Sequence, residues 1–406
     1  MEQVLRFRDE RENVQRELIR EFGLPMISFT MNIAGPVKRS PLIDFAFDEA
    51  LKEIILRMGT PVYRRKIQCD AGNAAFLVYD ADADQLKKTG IDIEERSELG
   101  RLLDIDVIDV NMVKLSRPNE RKCLICGGPV LLCSRSRAHS IHELSEKTAA
   151  ILSEYASETI AAHAVRALED EALLTPKPGL VDAHDSGAHA DMDVELMLRS
   201  ARSLYPYFKA AAKSGMEAEK GFPALLQEAG KQAEKQMLAV TGGVNTHKGA
   251  VYQLGLLCAA KGISPTADAD TVCETAAHLA DELAPPAAAS HGSDVRQFFP
   301  KAGPRYEAIS SFPHVRKAVR QMRDGWPTAD VLLELIAEID DSNVLWRGGA
   351  DGLNFLQKSA SAILSAPADK HSAMISELNE ECILRNISPG GAADLLADAL
   401  FLYSFD

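Results

Sequence analysis

The chain has 406 residues, 46% of them hydrophobic and 26% charged, with 45 Lys and Arg against 59 Asp and Glu for a formal net charge of −14. At roughly 150 residues per domain, that length predicts two or three domains, each able to bury a core. So acidic a balance excludes a general nucleic-acid binder, which would show a basic footprint, and still permits local basic pockets for phosphorylated small molecules.

The opening stretch MEQVLRFRDERENVQREL is charged and amphipathic and has no apolar signal-peptide core. No apolar run approaches the roughly 18 residues of a membrane helix. Seven cysteines is an odd count, and Cys123, Cys126 and Cys133 cluster while the others are scattered. The expectation is a cytoplasmic protein in a reducing compartment, with no nucleic-acid and no membrane partner.

In chain order, SFTMNI (28–33) reads as a strand ending at Gly35-Pro36, and FAFDEALKEIILRMG (45–59) as a helix stopped by its glycine. KIQCD, AAFLVYD and LLDIDVIDV read as strands, with ADQLKKTG a short helix between them. This half is α+β. From about residue 150 the period changes. KTAAILSEYASETIAAHAVRALEDEALL (147–174) is one long helix or two, and a series of alanine- and leucine-rich segments of helical period follows to the end. APPAAASHGSD (284–294) reads as a loop, and no strand is expected in this half. The expected division is an α+β domain over 1–154 and an all-α domain over 155–406.

In the first half, Asp104-Ile105-Asp106 places two carboxylates on one strand face, roughly 6.5–7 Å apart. Such a pair can hold Mg²⁺ against a polyphosphate, and an exposed strand face explains it about as well. Lys38 and Arg39 follow the first strand. RKCLICGGPVLLCSRSRAH (121–139) offers Cys123, Cys126, Cys133 and His139 as tetrahedral Zn²⁺ ligands, or as unligated side chains.

In the second half, four glycine-rich turns each lead into a helix: TPKPGLVDAHDSGAHADMD (175–193), TGGVNTHKGAVYQLG (241–255), DDSNVLWRGGADGL (340–353) and RNISPGGAADLLADAL (385–400). Free N–H groups and the helix dipole attract anions at such starts. Lys177, Lys248 and Arg347 add positive charge, and Asp182, Asp191 and Asn343 are oxygen donors suited to Mg²⁺. Each turn alone reads as a helix cap. Together they describe a pocket for a metal-bound polyphosphate.

TPKPGLVD, GAHADM, GVNTHKG and SPGGAADLL resemble the signature stretches of the triphosphoribosyl-dephospho-CoA synthase family, over roughly 155–406. The resemblance implies that the 2′-hydroxyl of 3′-dephospho-CoA attacks the ribose C1 of ATP, with adenine leaving. On that footing Lys177, Asn245, Lys248, Asn343 and Arg347 are candidate substrate ligands. Asp182 and Asp191 would bind Mg²⁺ or stabilise the cationic sugar, and His189 or His247 would assist proton transfer. GPRYEAISSFP (303–313) keeps Arg305 and Glu307 of a substrate-binding element but has Tyr306 where the family has glycine. SFT with GPVK, LGRLLDIDV, LSR, RKCLIC and the Cys133–His139 run resemble apo-citrate lyase phosphoribosyl-dephospho-CoA transferase, over roughly 25–150. This second resemblance implies a nucleotidyltransferase-like domain that attaches the product to a serine of the citrate lyase acyl carrier protein with loss of diphosphate. Asp104 and Asp106 would be its metal carboxylates, and Arg101, Lys38 and Arg39 candidate phosphate ligands. The same prosthetic group serves malonate decarboxylase, and a helical half that only binds ligand is the non-catalytic alternative. Fusion of consecutive steps would raise the concentration of the intermediate at the second site.

Overall fold

The computed structural model describes residues 2–218, 221–283, 299 and 301–406. The expected loop at 284–294 lies outside the described residues. The chain divides into two compact units, Met1–Ala156 and Ser157–Asp406.

The first unit is built on a four-stranded antiparallel sheet of order β2-β3-β1-β4, formed by β1 (Met26–Met31), β2 (Tyr63–Cys69), β3 (Gly72–Val78) and β4 (Leu103–Ile108). Strand alternation sorts the side chains. Ile27, Phe29, Ala75, Leu77, Ile105 and Val107 face one core with residues of α2 (Pro41–Met58) and α3 (Ala83–Arg96). Met26, Ala74, Phe76, Val78 and Ile108 face the other, covered by Phe7, Val14, Leu18 and Ile19 of α1 (Glu2–Phe22). The first strand lies two residues earlier than its sequence suggests. Met26 and Ile27 already pair with both neighbours, whereas Asn32 leaves the ladder and its N–H donates to Leu102 O at 2.7 Å. Helix α2 also starts early, because Ser40 Oγ accepts the Ile43 N–H and Pro41 takes a first-turn position where no N–H is needed.

After the short α4 (Val130–Ser136), α5 (Ile141–Leu173) is one continuous helix, and the boundary between the units falls within it. Among the described residues, the regular elements that follow α5 in the second unit are helices: α6 (Val194–Ser203), α7 (Tyr205–Glu217), α8 (Phe222–Val240), α9 (Lys248–Ile263), α10 (Ala269–Glu282), α11 (Pro304–Ile309), α12 (Pro313–Arg323), α13 (Thr328–Glu338), α14 (Ser342–Leu364), α15 (His371–Arg385) and α16 (Gly390–Tyr403). Helices α7 and α9 cross with backbones in contact. A methyl at Gly215 would overlap the Ala259 carbonyl, and one at Gly262 the Ala212 carbonyl. The third glycine-rich stretch holds two helical pieces of α14 that meet at a kink. Asp341 caps α14 at its start, and the only break comes at Gly349, whose φ is 63°.

Candidate functional site

In the first unit, the register pairs Asp104 with Thr30 and Asp106 with Ser28 across β4 and β1. All four point to the face covered by α1, where Gln15 Nε2 donates to Ser28 Oγ at 2.9 Å. The Arg11 guanidinium is held below its ordinary pKa by burial, against the opposing pull of Asp104 and Asp106. Lys114 Nζ lies 2.5 Å from Asp106 Oδ2, and Arg121 lies 3.6 Å from Asp104 Oδ1. The face therefore carries an acid pair ringed by cations, an arrangement suited to oxygen-bound Mg²⁺ and a polyphosphate.

The other candidates of this unit are tied to the framework. Lys38 Nζ donates to Ile33 O at 2.5 Å. Arg39 pairs with Asp44 at 2.7 Å, and Asn73 donates to the same carboxylate. Arg101 donates to the carbonyls of Lys122 and Cys123, at 3.1 and 2.6 Å. The sequence reading missed Glu94. It is buried on α3, raised above its ordinary pKa by that burial, and bound to the Ile105 N–H at 2.8 Å and to Arg121 at 2.5 Å. Cys123, Cys126, Cys133 and His139 do come together. Their ligand atoms all lie within 4.8 Å of one another, and no other such group of three or more occurs among the described residues.

In the second unit, the 175–189 segment is a stapled loop. Asp182 Oδ1 accepts the N–H groups of His184 and Asp185 at 2.7 and 3.1 Å, and its Oδ2 accepts that of Lys177 at 3.1 Å. Asn379 on α15 holds both ends, accepting the Gly179 N–H at 2.8 Å and donating to Asp185 at 3.0 Å. Gly179, at φ 69°, lets the loop approach so closely that a Cβ there would strike the Ile387 carbonyl. Lys177 is buried, and its Nζ donates to Glu171 Oε1 at 2.7 Å and Glu171 O at 2.6 Å.

The two histidines differ. Arg347, a donor only, gives a hydrogen to His189 Nδ1 at 3.3 Å, so the ring proton sits on Nε2 and is donated to Ser388 Oγ at 2.8 Å. Both ring nitrogens of His189 are thereby engaged. Arg347 also donates to Ala188 O at 2.9 Å. His247 Nδ1 contacts Ser200 Oγ at 2.8 Å, which in turn contacts Thr246 Oγ1 at 2.6 Å. Its Nε2 is buried with no hydrogen-bond partner. Burial, reinforced by the Lys177 charge, pushes the His247 pKa down to about 4.

Three carboxylates that the sequence reading did not single out join the remaining turns. Asp341 accepts the N–H groups of Asn343 and Val344 at the start of α14, at 2.8 and 3.3 Å, and that of Ala392 at the start of α16, at 3.0 Å. Asp394 on α16 accepts the Ala250 N–H at the start of α9. It is raised well above the usual carboxylate range by burial first and then by the charges of Glu171 and Asp341. The third carboxylate, Glu171, links this group to Lys177. All four glycine-rich motifs are thus drawn to one place by buried acids.

The remaining candidates sit elsewhere or serve the framework. Asp191 and Asn245 are exposed. Lys248 pairs with Glu234 at 2.5 Å. Arg305 donates to Leu283 O at 3.3 Å, and Glu307 accepts the His314 N–H at 2.9 Å and contacts His314 Nδ1 at 2.7 Å. Asn343 packs so near α16 that a Cβ at Gly390 would lie 2.5 Å from its Nδ2.

Comparison with known proteins gives two family matches. Residues 157–406 match the family described as ATP:dephospho-CoA triphosphoribosyl transferase, and residues 1–155 match the one described as apo-citrate lyase phosphoribosyl-dephospho-CoA transferase. The chain is 33% identical to "Protein CitXG" of Haemophilus influenzae, over 100% of this chain and 96% of that protein. It is 42% identical, over 60% of this chain and 93% of the relative, to a probable 2-(5''-triphosphoribosyl)-3'-dephosphocoenzyme-A synthase of Pseudomonas putida. A 2-(5''-triphosphoribosyl)-3'-dephosphocoenzyme-A synthase of Haemophilus ducreyi is 35% identical over 69% of this chain and 99% of its own length.

Proposed function

We propose residue roles for a chain that belongs to the ATP:dephospho-CoA triphosphoribosyl transferase family over residues 157–406 and to the apo-citrate lyase phosphoribosyl-dephospho-CoA transferase family over residues 1–155. It is a bifunctional transferase of citrate lyase prosthetic-group synthesis. The second unit joins ATP and 3′-dephospho-CoA into 2′-(5″-triphosphoribosyl)-3′-dephospho-CoA and releases adenine. The first transfers that product to a serine of the citrate lyase acyl carrier protein and releases diphosphate. The observation that carries the synthase assignment is the meeting of four helix-leading motifs around Lys177, His247, Asp341 and Asp394.

In the synthase, breaking the ribose–adenine bond develops positive charge on the sugar, which nearby carboxylates stabilise. Asp191, which is exposed, is our candidate, while Asp394 and Asp341 hold the starts of α9, α14 and α16 in register. His247 is the candidate proton acceptor for the attacking 2′-hydroxyl. It is neutral at pH 7, its Nδ1 is fixed by Ser200, and its Nε2 is free of protein partners. His189 and Arg347 form a positioning pair. Asp182 shapes the loop that carries Lys177 and so acts on the reaction through it. Lys248, Arg305, Glu307, Asn245 and Asn343 remain candidate substrate contacts. Mg²⁺, where bound, would take Asp191 as an oxygen ligand beside the loop that Asp182 shapes, and would offset the triphosphate charge.

In the transferase, which we read as nucleotidyltransferase-like, Asp104 and Asp106 would hold Mg²⁺, which would offset the charge of the departing diphosphate. Lys114, Arg121 and Arg11 surround the acids and would orient the phosphates. Lys38, Arg39 and Arg101 stand further along the framework. Neither half calls for a membrane or a nucleic acid, and we place the enzyme in the cytoplasm.

The test is incubation with Mg-ATP and 3′-dephospho-CoA, followed by chromatography for free adenine. Adenine release that depends on dephospho-CoA is expected. ADP or AMP in its place would overturn the assignment of residues 157–406.

A further inference from the structure

We infer that Cys123, Cys126, Cys133 and His139 form a structural Zn²⁺ site whose task is to position Arg121 beside Asp104. The donor set comes first. Three thiols and an imidazole are the ligands of closed tetrahedral zinc sites, and thiolate disfavours Mg²⁺ or Ca²⁺. The four ligand atoms lie within 4.8 Å of one another with no disulfide among them. Cys126 and Cys133 Sγ are 3.5 Å apart. Two thiolates on one tetrahedral zinc, each at about 2.3 Å, stand about 3.8 Å apart, so closure needs only a small adjustment. The backbone is already shaped for it. Gly127, at φ 72°, closes a knuckle in which its N–H donates to Cys123 O at 3.0 Å and the Cys123 N–H donates to Gly128 O at 2.6 Å. His139 Nε2 is buried without a hydrogen-bond partner.

The knuckle is joined to β4 and to the turn before it. Arg101, three residues before Asp104, donates to the carbonyls of Lys122 and of the ligand Cys123. Arg121, two residues before Cys123, donates to Leu103 O at 2.8 Å, pairs with Glu94, and lies 3.6 Å from Asp104. A metal that fixes residues 121–126 therefore fixes the Arg121 guanidinium beside Asp104, and Arg101 braces the knuckle from the turn before β4. Besides these side-chain bonds, the segment's own regular structure is a short helix and an isolated bridge between Lys122 and Pro129.

The transfer readout rests on the proposed function, and the metal readout does not. The full chain, purified from zinc-supplemented medium, is expected to carry about one zinc per chain. Cobalt exchange should give the visible bands of tetrahedral thiolate ligation. Cys126→Ser and Cys133→Ser should each lose the metal. Stripping with a chelator should lower transfer of supplied triphosphoribosyl-dephospho-CoA to the carrier protein by about tenfold or more, as loss of a supporting shell does. Adenine release by the same sample should stay within about twofold, which controls for general unfolding, and restored zinc should restore transfer. Protein that binds neither zinc nor cobalt while its thiols titrate freely would overturn the site, as would a Cys126–Cys133 disulfide in protein purified under reducing conditions. Zinc that can be removed without loss of transfer, or whose removal abolishes both activities equally, would overturn the positioning role. A wild-type chain that binds zinc but transfers nothing would count against the assigned function and leave the metal site standing.

Discussion

Replacing His247 with Gln should flatten part of the pH dependence of stability in the second unit. In the folded protein the His247 pKa is pushed to about 4, against 6.5 for the free side chain. Between those values the unfolded chain binds a proton that the folded chain refuses, so the contribution is present above pH 6.5 and is lost as pH falls. At about 1.36 kcal/mol per unit, the gap is worth about 3 kcal/mol in full and about 2 kcal/mol by pH 5. The buried carboxyls Asp394 and Asp398 act in the opposite direction. Their raised pKa values favour the fold as pH falls, so the wild-type curve alone mixes both effects. Subtracting the variant from the wild type isolates the histidine. Glutamine keeps a polar contact for Ser200 and cannot titrate. Both tryptophans, Trp326 and Trp346, lie in the second unit, so urea unfolding followed by their fluorescence reports on that unit alone. The stability advantage of wild type over His247→Gln should shrink by about 2 kcal/mol between pH 7.5 and pH 5. A difference constant to within about 0.5 kcal/mol would refute the claim that His247 is buried neutral.

Further outcomes follow from the same geometry. Asp104→Asn should lower carrier-protein transfer by on the order of a hundredfold, since metal-held charge is worth several kcal/mol, and leave adenine release intact. Equal loss of both in paired assays would contradict the division of labour. Lys177→Met strands Glu171 in a buried site and should destabilise the second unit by about 3–5 kcal/mol, read from the urea midpoint. It should also raise the His247 pKa, because one of the two causes of its depression is removed. Gly262→Ala forces a methyl against the Ala212 carbonyl and should cost about 1–3 kcal/mol in the same measurement.

The fold was legible where one period dominates. The strand alternation Met26-Ile27-Ser28-Phe29-Thr30 sorts into two faces because each face has its own helical cover. Boundaries were less legible because capping chemistry sets them. Ser40 with Pro41 moves a helix start four residues upstream of the apolar run, and Asp341 turns an apparent glycine-rich loop into the first turns of α14. A glycine pair such as Gly348-Gly349 reads as a turn in sequence, yet only Gly349 leaves helical geometry. Periodicity registers the side-chain face of a segment and is blind to a single residue's φ.

The candidate site was legible by motif and less so by role. Glycines marked where backbones approach, and the residues beside them do gather. What the sequence hid is the work done by the acids. Asp182 stands out beside a stiff turn, but its two oxygens take three backbone N–H groups, a use that any Asp in a tight loop could have. Asp394 and Asp398 looked like ordinary helical acids. The signal that distinguishes them is spacing. Four residues apart in GGAADLLADALFLY, they share a face of a helix that is otherwise apolar all round. Such a helix offers them little solvent, with Asp398 buried and Asp394 only partly exposed, so each must meet a partner or hold a proton. Asp394 meets the start of α9, and Asp398 keeps both oxygens without a hydrogen-bond partner and has its pKa raised, chiefly by burial. An acid in an all-apolar helix is therefore the better sequence marker of this site than an acid in a polar loop.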